Sequence, residues 1–374
     1  MNRRTKSGYG VAEIGLSAIE LLLQIYLLEL YVTVGLSPLL AGSALAIAVI
    51  WDAVSDPLMG LISDQTRSKS AVGKRLPYFF AGAFLMGVAF VFLFSPGAEA
   101  SQLGLFSYLL FWYLILNTAL TLVGVPHLAI ISDLSHSKAE RADLFSWRLV
   151  FGGLGLLLGL VAPVLIAKMN GQEGLESSPT LLIENRSQVG WWIAGISVPL
   201  ACITGWAVWK PLAVVSSREV VSEQSGFSWK CLLSAFRSKL FLLVTAGFVF
   251  IALGRAFNSS LALLFYKNRL EFSENQIATL LLLLTLSIMA AVPVWLALSR
   301  RFDKGPLCLA GVSALTVLTA VSYPMLPVGA LIPVLVVAVI GGVLVACVAL
   351  LEAMFSDVIE VDQESSSAPL TGAY

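Results

Sequence analysis

The sequence predicts an all-α polytopic membrane protein with about ten transmembrane helices, on three observations. Of its 374 residues, 58% are hydrophobic and only 12% charged, where an ordinary soluble domain carries about 25% charged residues. The apolar residues gather into ten long runs rather than alternating along short ones, which favours helices that satisfy their own backbone groups in lipid. The basic residues fall mostly into every second connection. This composition excludes a disordered chain and an ordinary soluble enzyme, and 23 Lys+Arg against 23 Asp+Glu leave no basic excess for nucleic acid.

The first run, 9–34, follows a short basic arm. It is longer than the core of a signal peptide and has no small-residue cleavage site, so it reads as an uncleaved first span. Runs 39–62 and 77–95 flank a basic turn, run 104–131 stays apolar through Pro126, and runs 146–168 and 189–210 complete a set of six. The stretch 211–238 is polar, and runs 239–266, 275–298, 306–324 and 329–351 make a set of four. The expected domains are a six-helix bundle at 1–210, a cytoplasmic linker at 211–238 and a second bundle at 239–374. Ser132-Asp133 after the fourth run and Ser356-Asp357 after the tenth suggest an internal repeat.

Orientation follows from the cations. Seventeen lie on one side: Arg3, Arg4 and Lys6; Arg67, Lys69, Lys74 and Arg75; Lys138 and Arg141; Lys210, Arg218, Lys230, Arg237 and Lys239; and Arg300, Arg301 and Lys304. Four lie on the other: Lys168, Arg186, Lys267 and Arg269. The bias predicts a cytoplasmic N-terminus and linker in a cell inner (cytoplasmic) membrane.

An ionisable group near the bilayer centre costs at least about 2.5–3.5 kcal/mol, so each one needs a reason. Glu13, Glu20 and Gln24 share one face of the first span, while Glu13 and Glu29 lie nearer its ends and read as interfacial. Asp52 and Asp56 stack one turn apart in the second span. Two readings stay open for them: a site for Na⁺ or H⁺ completed by the Ser55 and Thr121 hydroxyls, or a structural pairing with a buried arginine. Arg148, read as opening the fifth span, contacts substrate, pairs with an aspartate or snorkels to the interface. Glu20 is either functional or a neutral core glutamate, and Arg255 reads as a structural or gating partner. Gly152, Gly153, Gly155 and Gly159 lack the Lys-Ser/Thr of a phosphate loop and read as a helix-packing stripe. The four cysteines show no C-x-x-C spacing, His127 and His136 are too few for an imidazole metal site, and no nucleophile–base pair points to an enzyme.

Several blocks in order resemble one family: Tyr9-Gly-Val-Ala-Glu13-Ile-Gly15, then Ile50-Trp51-Asp52-Ala-Val-Ser55-Asp56-Pro57-Leu-Met-Gly60. Asp64-Gln-Thr-Arg67, Gly73-Lys74-Arg75-Leu-Pro77, Val125-Pro126, Glu140-Arg141 and Arg148 follow, with Pro293 through Lys304 and Met354 through Glu360 further on. They resemble the glycoside–pentoside–hexuronide:cation symporters of the major facilitator superfamily, typified by melibiose permease. The resemblance implies a major facilitator fold of two six-helix bundles, the second apparently truncated here by its last two helices. It implies that Asp52 and Asp56 coordinate the coupling cation, with Ser55 and Thr121 beside them, and that Arg148 stands at the sugar site. Ser17, Gly124 and Leu128 replace an Asp, a second Asp and an aromatic of the melibiose-type pattern. The galactoside-gripping half is therefore not retained.

What the resemblance implies overall is cation-coupled symport, with Na⁺ or H⁺ as coupling ion and no other cofactor, of a sugar or glycoside by alternating access. Substrate contacts are expected from Arg148, Glu20, Gln24 and Tyr26, and a cytoplasmic gate from Asp64, Arg67, Asp133, Arg141, Arg301 and Asp303. The rival readings are a cation-coupled lysophospholipid or amphiphile transporter, because the polar set is sparse, and a non-transporting membrane sensor. The expected partners are a small-molecule substrate, the cation and the bilayer, and no nucleic acid.

Overall fold

The structure, a computed structural model, describes residues 2–66, 75–97, 101–134, 138–171, 179–216, 239–299, 301–351 and 354. Within these residues the chain is all-α. The helices are α1 (Arg3–Gly10), α2 (Ala12–Val34), α3 (Pro38–Gln65), α4 (Leu76–Leu93), α5 (Gln102–Leu134), α6 (Lys138–Met169) and α7 (Pro179–Ser216). After them come α8 (Lys239–Asn268), α9 (Glu274–Leu298), α10 (Lys304–Met325) and α11 (Leu331–Val345). Among the described residues, nine spans are long and apolar enough to cross a membrane, α1 and α2 counting as one; the run at 239–266 forms α8. The chain divides into two compact units, Met1–Ser222 and Glu223–Tyr374.

Helix limits depart from the apolar runs where polar residues continue the helix beyond hydrocarbon. α6 starts at Lys138 rather than near 146, which puts Arg148 about three turns inside it instead of at its opening. α7 starts at Pro179 and runs to Ser216, past the expected boundary at 210; residues 217–238 of the expected linker lie outside the described residues. Other limits have local causes. Gly35, at φ 109°, turns the chain out of α2 in a left-handed conformation that suits glycine. Ser37 caps α3 by accepting from the Leu40 amide, with Pro38 in the first turn. Ser273 and Gln276 form a reciprocal capping box at the start of α9.

In the first unit, α2 packs on α6 and α7, α3 on α5, and α4 on α5 and α7. Missing side chains permit these approaches. A Cβ on Gly155 would meet the Ile14 Cα at 2.9 Å, and one on Gly159 would meet the Ala18 carbonyl oxygen at 2.9 Å, so the α6 glycines lie directly on the α2 backbone. Gly15 faces Ser197 of α7 in the same way, at 2.6 Å. At the break between α1 and α2, the buried Thr204 hydroxyl accepts from the Ala12 amide and donates to the Gly8 carbonyl, both at 2.9 Å. One α7 side chain thereby satisfies two backbone groups that the break leaves without helical partners.

Trp191 and Trp192 near one end of α7, and Trp206 and Trp209 near the other, are all exposed. Residues 191 and 209 are about 27 Å apart along an ideal helix, close to the roughly 30 Å of a hydrocarbon core. Tryptophans at both interfaces fit that span. Leu39, Phe84, Leu103 and Leu149 are likewise at least 67% exposed, a surface that suits lipid rather than water. In the second unit α9 and α10 pack on α11, and the Trp295 indole N–H donates to the Val343 carbonyl at 2.7 Å. Cys308 and Cys347 are buried and Cys202 exposed, all as free thiols.

The glycine contacts predict that Gly155→Val destabilises the purified chain in detergent by about 1–3 kcal/mol through overpacking. Gly124→Ala, where an added Cβ meets nothing within 4 Å, leaves stability nearly unchanged. Thermal unfolding followed by size-exclusion chromatography compares the two.

Candidate functional site

α3 carries Asp52 and Asp56 one turn apart, so both carboxylates rise from one face of the helix. α5 packs against that face and supplies Thr121, whose hydroxyl donates to Asp56 Oδ1 at 2.7 Å and lies 3.5 Å from Asp52 Oδ1. The Ser55 hydroxyl lies 3.3 Å from the Thr121 hydroxyl and 3.3 Å from the Asp52 carbonyl oxygen. Ser55 and Thr121 are buried, Asp52 is half-buried and Asp56 exposed. The helix pair is fixed on the same side by Asn117, which donates to the Ala48 carbonyl at 3.1 Å, and by Trp51, which donates to the Thr118 hydroxyl at 2.9 Å.

The structure thus brings Asp52, Ser55, Asp56 and Thr121 together, and among the described residues no Lys, Arg or His pairs with either carboxylate. Two carboxylates about one turn apart repel unless a proton or a cation lies between them, and hydroxyl and carboxylate oxygens are the ligands a hard cation takes. Pro57 and Pro126 lie inside α3 and α5. Each leaves a carbonyl four residues earlier, on Ala53 and Leu122, without a helical N–H donor, which adds acceptor capacity next to Asp52 and Thr121 in the chain. Groups of three or more His, Cys, Asp or Glu that would suit a transition metal are absent among the described residues.

Arg148 has a partner that the sequence does not announce. Its Nε and Nη2 both reach Glu13 Oε1 from α6 to α2. Glu13, read as nearer the end of the first span, is 8% exposed. The glycine packing seats α2 deep against α6 and buries Glu13 between the helices. Glu29, read likewise at the other end, is 4% exposed and pairs with the equally buried Arg186 of α7 at 3.1 Å. The Arg186 guanidinium lies over the Tyr26 ring at 4.0 Å, a cation–π contact. Tyr26 is therefore buried against Arg186 rather than grouped with Glu20 and Gln24, which are exposed along α2.

At the ends of α4 and α5, Arg75 pairs with Asp133 at 2.5 Å and donates to the Ala129 carbonyl at 2.6 Å. Lys6 pairs with Asp143 at 2.6 Å. Of the other expected gate residues, Arg301 and Asp303 are exposed, and neither forms an ion pair among the described residues. Arg67 lies outside the described residues, as do the side chains of Asp64, Arg141 and Arg255.

Comparison with known sequences extends this geometry. A family described as MFS/sugar transport protein matches residues 8–369. An uncharacterized symporter of Synechocystis, sll1374, is 35% identical over 169 residues, covering 44% of this chain and 31% of its own length. The Escherichia coli putative glycoside/cation symporter YagG is 30% identical over 176 residues, covering 46% of this chain and 38% of its own. The mouse sodium-dependent lysophosphatidylcholine symporter 1 is 28% identical over 371 residues, covering 92% of this chain and 66% of its own. The chain thus spans about a third of the length of these bacterial relatives.

Breaking a buried ion pair from one side strands the other charge. Arg186→Met is expected to cost about 3–5 kcal/mol of stability, and the double change Arg186→Met with Glu29→Met to recover most of it. Thermal unfolding of the three purified variants reads the difference.

Proposed function

Because the chain belongs to the MFS/sugar transport protein family, we propose that it is a cation-coupled secondary transporter whose cargo is an amphiphile of the lysophospholipid class. Membership places it among transporters rather than enzymes. The observation that carries the coupling is the Asp52–Ser55–Asp56–Thr121 cluster, with two carboxylates and no counter-cation among the described residues. In this reading Asp52 and Asp56 hold Na⁺ or H⁺, and the Thr121 and Ser55 hydroxyls complete the oxygen shell. Neutralising the pair removes its repulsion and lets α3 and α5 close around it. Cation and cargo then favour the same state, which is the thermodynamic content of coupling.

Two observations favour an amphiphile. The lysophosphatidylcholine symporters of mouse, chicken and Xenopus each match 92% of this chain, whereas the bacterial symporters match less than half. The exposed face of α2 offers Glu20 and Gln24 with few other polar groups, and a Cβ at Gly124 would meet open space. A sugar or glycoside is the second reading, supported by the family description and the name of the Escherichia coli relative. A sugar site needs several hydrogen-bonding groups and an aromatic platform. Arg148 and Tyr26 are occupied by Glu13 and Arg186, which leaves that set thin.

The proposed orientation has the N-terminus in the cytoplasm of a cell inner membrane, which puts the Arg75–Asp133 and Lys6–Asp143 pairs at the cytoplasmic mouth as gate contacts. Asp64, Arg67, Arg141, Arg301 and Asp303 are proposed to act at the same mouth.

The chain reconstituted in lipid nanodiscs is expected to melt at a higher temperature in Na⁺ than in K⁺, a hundredfold excess over Kd adding about 2.7 kcal/mol of stability. Asp52→Asn and Asp56→Asn each abolish the difference; its survival in both variants contradicts the site. With Na⁺ present, lysophosphatidylcholine is expected to add further stabilisation and a galactoside none. The reverse pattern selects the sugar reading.

A further inference from the structure

His127 lies on α5 about one and two-thirds turns beyond Thr121, and it is 0% exposed. Its Nε2 is 2.9 Å from the Tyr9 carbonyl oxygen. A carbonyl only accepts, so Nε2 carries the hydrogen. Tyr9 answers by donating its hydroxyl to the His127 carbonyl at 2.7 Å, and the Tyr9 and Phe79 rings flank the imidazole at 4.5 and 5.7 Å. The ring is held in one orientation and one tautomer. In a neutral ring of that tautomer, Nδ1 is a lone pair. It is buried with no hydrogen-bond partner, and the group it faces is Glu13 Oε1 at 3.5 Å. An ionised carboxylate is also only an acceptor. Two acceptors facing one another away from water are costly until a proton comes between them.

We propose that Glu13 and His127 form a proton-binding site distinct from the Asp52–Asp56 cluster. One H⁺ from water is taken up between Nδ1 and the carboxylate, raising the charge of the group by one, with no bond broken and nothing oxidised or reduced. The surrounding charges come from each packed helix. α1 and α2 supply Tyr9 and Glu13, and α6 supplies Arg148 on Glu13 Oε1. Arg75, at the N-terminal end of α4, holds the Ala129 carbonyl and Asp133 further along α5. α3 brings Asp52 and Asp56 to Thr121, six residues before His127, and α7 contributes the neutral Thr204 hydroxyl at the α1–α2 break. With the proton in place, α5 and α2 are joined by a charged hydrogen bond. Without it, Arg148 alone holds Glu13.

The chain has two histidines, His127 and His136, so His136→Gln leaves a single imidazole for nitrogen NMR. The variant, labelled with ¹⁵N-histidine and reconstituted in lipid nanodiscs, is titrated from about pH 5 to 9, across the range in which imidazole ordinarily changes charge. The expected result is an Nδ1 resonance shifted to the protonated or strongly hydrogen-bonded position at the acid end. That shift is lost on raising the pH, while the Nε2 resonance stays protonated throughout. Adding Glu13→Gln removes the protonated Nδ1 signal at the acid end, the amide supplying at most a hydrogen bond to the lone pair. A bare Nδ1 across the whole range in the single variant overturns the proposal, as does a protonated Nδ1 that the Glu13 change leaves untouched. Where Glu13→Gln fails to fold, Glu13→Met with Arg148→Met, which leaves no buried charge unpaired, takes its place with the same expected loss of the protonated Nδ1. It needs neither cargo nor Na⁺, so its outcome is independent of the transport reading.

Discussion

Charge buried between helices is tolerated only when it is neutralised, and the first unit is organised by that constraint. Glu13 meets Arg148, Glu29 meets Arg186, and Arg75 meets Asp133, each pair joining two helices. Every one of these contacts fixes a helix pair rather than adding net stability over an apolar packing of the same shape, because desolvation offsets most of the attraction. Against that background Asp52 and Asp56 stand apart. They share a hydroxyl donor but, among the described residues, no cation of the chain's own. In the proposed coupling site, the neutralising charge is a cation taken from solution.

The same constraint explains why the first span is the hub. Its glycine-lined contacts with α6 and α7 bring backbone against backbone, and this depth carries Glu13 out of water and into reach of Arg148 and His127. Thr204 repairs the break at the start of the span.

The apolar runs made most helices legible, because a spanning helix needs a long unbroken apolar stretch whatever its neighbours. Their ends were less legible: α7 extends beyond its run on both sides, from Pro179 before it to Ser216 after it, because a helix does not stop where its apolar residues do. Asp52, Ser55 and Asp56 were legible as a unit since they lie within five residues of one helix, and Thr121 was legible as a hydroxyl inside another apolar run. Glu13–Arg148 and Glu29–Arg186 join residues 135 and 157 positions apart, and nothing local to either partner names the other. The roles of Tyr9 and His127 were hidden for a similar reason. A histidine following Pro126 carries no signal until α1 places a carbonyl on one side of it and α2 a carboxylate on the other.

The central claim is that Asp52 and Asp56 themselves take up the coupling cation. Infrared difference spectroscopy of the purified chain in lipid, with Na⁺ added or pH changed, observes carboxylates directly. The account predicts a carboxylate band change in the unaltered chain from which the Asp52 and Asp56 contribution is missing when both residues are asparagine. An identical band change in the double variant would contradict it.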